Sequence, residues 1–80
     1  SNTNRQSKGG RTMNAITTKV FIEYEQMSEK VSKLKSFIAS SEMDELSEES
    51  KRLLISQLAV MRPYLDVLRD RLSYLLSEEK

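Results

Sequence analysis

Arg62, Tyr64, Arg69, Arg71 and Tyr74, all in the last quarter of this 80-residue chain, are the side chains best suited to bind a ligand. An arginine fork pairs with phosphate or carboxylate through parallel hydrogen bonds, and a tyrosine ring stacks on flat groups. Arg62, Arg69, Arg71 and Tyr74 therefore make a candidate site for an anionic ligand. Asp66 and Asp70 stand among them, and Arg62 with Asp66 is an i, i+4 pair. The competing interpretation is a solvated face of mixed charge whose arginines are already partnered, and the intervening carboxylates favour it.

Other chemistry is limited by residue type. The sequence has no Cys and no His, which removes disulfides, thiolate and imidazole metal sites, and Cys or His catalysis. Its serines have no neighbouring base to activate them as nucleophiles. Glu42, Asp44, Glu45, Glu48 and Glu49 are dense enough to attract a hard cation, but they lack the alternating ligands and central glycine of a calcium loop, so they read as a solvated acidic turn. Gly9 and Gly10 have no Gly-Lys-Ser/Thr after them, so they are no phosphate loop. The expectation is a protein with no catalytic residue, no metal and no cofactor, acting by binding.

The elements that would carry those residues follow from hydrophobic spacing. Ile16, Val20, Tyr24, Met27, Val31, Leu34 and Ile38 succeed one another every three or four residues and predict one helix over about 14–40. Phe21 and Phe37 flank that stripe. Residues 41–46 break the rhythm with small and acidic side chains and read as a turn. Ser47 is then a plausible N-cap, with Glu48 and Glu49 at the positive end of a second helix over about 47–77. In that helix Leu54, Leu58, Met61, Leu65, Leu68, Leu72 and Leu75 alternate spacings of four and three, the pattern of a coiled-coil seam. Pro63 lies in its middle, where it removes one backbone hydrogen bond, so a kinked but continuous helix is expected.

The fold class is therefore all-α, a two-helix antiparallel hairpin over residues 13–80 preceded by a disordered basic tail at 1–12. Leu53, Val60, Tyr64 and Val67 run beside the second seam and widen the apolar face beyond what one partner helix covers. With Phe21 and Phe37 they are the candidate oligomer or partner interface, and a four-helix or larger bundle is the expected assembly. A chain this short buries too little surface to be comfortable alone.

Net charge is +1, but Arg5, Lys8, Arg11 and Lys19 all precede the first acidic residue, Glu23. The body is thus mildly acidic and the tail basic, which makes nucleic acid an unfavoured partner reached, if at all, through the tail. No apolar run suits a membrane span, so a soluble intracellular protein is the default.

The stretch Leu34 to Leu72 resembles a family of small helical-hairpin proteins of tailed bacteriophages, including relatives in crAss-like phages. The resemblance rests on Leu34, Phe37 and Ile38, an acidic turn with Leu46-Ser47, and Leu53, Leu54, Gln57, Met61, Tyr64 and Leu68. Pro63 departs from that pattern. The resemblance implies a phage or prophage origin and a non-enzymatic accessory role. The expected function is an oligomeric bundle that inhibits or sequesters a host defence component, protein or nucleotide signal. The alternative is a small nucleic-acid-binding or regulatory protein using the basic tail.

Overall fold

A computed structural model describes residues 14–79, so the tail read at 1–12, with Met13 and Lys80, lies outside the described residues. Two α-helices, α1 (Ala15–Ile38) and α2 (Glu48–Glu78), pack antiparallel as a hairpin and are joined through a 3-10 helix, Ser41–Glu45. The molecule is a rod of 56 × 18 × 15 Å with a radius of gyration of 18.1 Å. A compact globule of similar length would have a radius of about 11 Å, so most of each helix circumference remains in water.

Local chemistry sets the helix ends. Asn14 Oδ1 accepts a hydrogen bond from the Thr17 backbone N–H at 2.8 Å and caps α1. Ser47 Oγ accepts from Ser50 N–H at 3.1 Å and caps α2, with Glu48 and Glu49 in the first turn against the helix dipole. At its far end α1 stops at Ile38, where the Ser40 hydroxyl donates to the Phe37 carbonyl. Met43, in the middle of the 3-10 helix, is buried and closes the end of the core.

Every seam residue of α2, from Leu54 to Leu75, is buried or half-buried, and Leu68 is wholly enclosed. In α1 the seam runs through Val20, Tyr24, Met27, Val31, Leu34 and Ile38. Hydrophobic spacing starts that stripe at Ile16, but Ile16 is exposed and Thr17 is wholly buried instead. Extending the alternation of three and four backward from Val20 lands on Thr17, so heptad register, not hydrophobicity, selects the residue facing α2. The Thr17 hydroxyl has no hydrogen-bond partner among the described residues.

Helix α2 continues without a break through Pro63. Pro63 and Ala59 are both exposed, on the side turned away from the seam. There water can satisfy the Ala59 carbonyl that has lost its partner N–H, which is why a mid-helix proline is tolerated.

Candidate binding surface

At about 100° per residue, the side chains beside the two seams fall on opposite flanks of the rod. On α2, Leu53, Val60, Tyr64 and Val67 share one flank with Arg71, whereas Arg62 and Arg69 lie on the other. On α1, Phe37 and Glu23 lie to one side of the seam and Phe21 to the other.

Two observations show which flanks meet. The Tyr64 hydroxyl donates to Oε2 of Glu23. Phe37 and Leu53 line the same groove at the turn end of the hairpin. One surface therefore carries Phe37, Leu53, Val60, Tyr64, Val67 and Arg71. Phe21, grouped with them in the sequence reading, belongs to the opposite surface.

Val60 is 67% exposed, Val67 and Leu53 are 52% exposed, and Tyr64 is 41% exposed. The groove has a volume of about 570 Å³ and is lined by Leu34, Phe37, Leu46, Ser50, Leu53, Leu54 and Gln57. It lies at the turn end of the hairpin, with half-buried Leu34 and Phe37 of α1 on one side and half-buried Leu54 and exposed Leu53 of α2 on the other. Neither residue type nor spacing in the sequence announces this groove, because it forms only where residues of α1, Leu46 and α2 come together.

The arginines differ in their partners. Arg69 faces Asp66 and Asp70, each at 3.5 Å, so the pairing is i, i+3 and adjacent. The Arg62–Asp66 pair suggested by the spacing does not form an ion pair among the described residues, nor does Arg71 have one. Tyr74, one turn beyond Arg71, is 62% exposed. The phenol of Tyr64 holds its proton above the usual tyrosine value, chiefly through its hydrogen bond to Glu23, then through desolvation and the Glu23 charge, with Arg71 opposing. Among the described residues, no His, Cys, Asp and Glu cluster is placed to hold a metal ion. No helix there is long and apolar enough to cross a membrane.

The geometry defines an all-α hairpin with an outward-facing apolar surface edged by a cation and two tyrosines. The chain belongs to the Sequestin family, whose model matches residues 14–74. No curated protein and no solved structure gives a match.

Proposed function

We propose that this chain is a non-enzymatic accessory protein of a bacteriophage or prophage that assembles into an oligomeric helical bundle and sequesters a small anionic signal of host defence, a nucleotide. The observation that carries this proposal is the setting of Arg71. Its guanidinium has no carboxylate partner among the described residues, and it lies along α2 between Tyr64 and Tyr74. A fork for phosphate thus shares one helix with two rings that suit a base, Tyr64 about two turns before it and Tyr74 about one turn after. Because the surface is open, a second copy would have to close it over a ligand, and the exposed Leu53, Val60 and Val67 supply an apolar area on which copies can meet. The family name, Sequestin, is compatible with a sequestering protein. The phage origin is supported by the resemblance over Leu34 to Leu72. A host protein seated on the same stripe is the second possibility, favoured by its apolar content.

Calorimetric titration of the full chain with a panel of cyclic nucleotides tests the proposal. At least one member should give heat, and Arg71→Ala should weaken it by about tenfold or more, the loss expected for one charge-assisted hydrogen bond. Arg69→Ala should change it much less, since Asp66 and Asp70 already engage that side chain. Absence of heat from every member would discard the nucleotide in favour of a protein partner.

A further inference from the structure

The apolar surface is interrupted by one polar contact across the hairpin. Tyr64 of α2 donates to Glu23 of α1, the only hydrogen bond between side chains of the two helices among the described residues. Both partners are exposed, so neither depends on the other for solvation, and such a pair adds little to stability. Its main consequence is geometric. A tyrosine has two side-chain torsions, and anchoring its hydroxyl to the opposite helix restricts both. The ring so held is the member of the exposed stripe that reaches α1, while Val60 and Val67 lie one turn away on either side.

We propose that Glu23 is the positioning residue of this surface: its carboxylate holds the Tyr64 hydroxyl and thereby fixes the ring as a wall of the surface on which Val60, Val67 and Arg71 open. The inference rests on the reading of that surface as the binding face. The raised proton affinity of Tyr64, due first to the hydrogen bond with Glu23, agrees with the geometry. Charged groups felt at the phenol come from both helices, Glu23 of α1 and Arg71 of α2, and the carboxylate prevails. The bond is present below the ordinary tyrosine value of about 10 and is lost as pH rises through the higher folded value.

The chain has three tyrosines and no tryptophan, so Tyr24→Phe with Tyr74→Phe leaves Tyr64 as the single ultraviolet reporter in the full-length protein. A carboxylate bound to a phenol quenches its emission and delays its ionisation. In that background Glu23→Ala should raise the emission and move the alkaline absorbance transition down towards pH 10. In the otherwise unaltered chain, Glu23→Ala should weaken self-association about fivefold, the worth of one modest hydrogen bond, with helix content unchanged. Glu23→Gln, whose amide oxygen still accepts from the phenol, should restore association although it carries no charge. Emission and titration unchanged by Glu23→Ala would overturn the contact itself. A spectroscopic change without any loss of association would overturn the positioning role and leave the binding face standing. A chain that is monomeric at every concentration and silent to nucleotides would overturn the binding face, and the positioning role with it, whatever the spectra report.

Discussion

Val60→Asp is the sharpest test of the exposed stripe. Fully burying a valine or leucine contributes about 1.5–3 kcal/mol, and the four stripe residues retain roughly half of their surface, so the stripe holds about 3–6 kcal/mol per chain in reserve. In a two-fold contact both copies contribute, giving about 6–12 kcal/mol. The loss of free motion on association opposes this by roughly 4–15 kcal/mol, so the most favourable balance, about 8 kcal/mol, corresponds to micromolar self-association and sets its upper limit. Aspartate matches valine closely in helix propensity, and position 60 faces water in the single hairpin, so the substitution should leave the fold within about 0.5 kcal/mol. At an interface the same carboxylate is too short to reach out to solvent and would be desolvated without a partner. The dissociation constant should rise at least about a hundredfold, or about 2.8 kcal/mol. Sedimentation velocity or light scattering on concentrations spanning the micromolar range reads this directly, with circular dichroism as the control for folding. A wild-type chain that stays monomeric, or a Val60→Asp chain that associates equally well, would refute the reasoning.

The Thr17 hydroxyl is wholly enclosed without a partner among the described residues, so Thr17→Val should raise stability by about 1 kcal/mol by removing an unpaid desolvation cost; a lower melting temperature would mean that the hydroxyl has a partner. Pro63→Ala restores an N–H for the Ala59 carbonyl and should raise the thermal midpoint by the equivalent of about 1–3 kcal/mol. A fall in the midpoint would show that the shape imposed by Pro63 matters more to the packing than the missing bond.

The hairpin was legible because its signals are local and repeated. Three heptads of leucine in α2 specify one face whatever the partner, and Ser47 with Glu48 and Glu49 marks its start through contacts within one turn. Reading failed where a single residue's hydrophobicity competed with register. Ile16 is the more apolar, yet Thr17 continues the heptad, and the chain buries Thr17. Nothing local marks Met43 for burial inside an acidic turn, because what buries it is the close of the core above it and not its neighbours in sequence.

The candidate ligand groups divide in the same way. Composition determined which side chains were available: forked cations and tyrosines, no imidazole and no thiol. Helical spacing already separates Arg62 and Arg69 from Arg71, since 100° per residue sends them to opposite flanks. Arg69 meets Asp66 and Asp70 through side-chain rotamers within α2 alone, whereas only the packed pair decided that Tyr64 reaches Glu23. It also decided that Phe37 meets Leu53 across a groove while Phe21 faces elsewhere. The physical reason is that period and propensity act within one helix, whereas the meeting of two flanks depends on how the antiparallel helices are rotated and offset against each other. That is set by the sum of seam contacts and by no single residue.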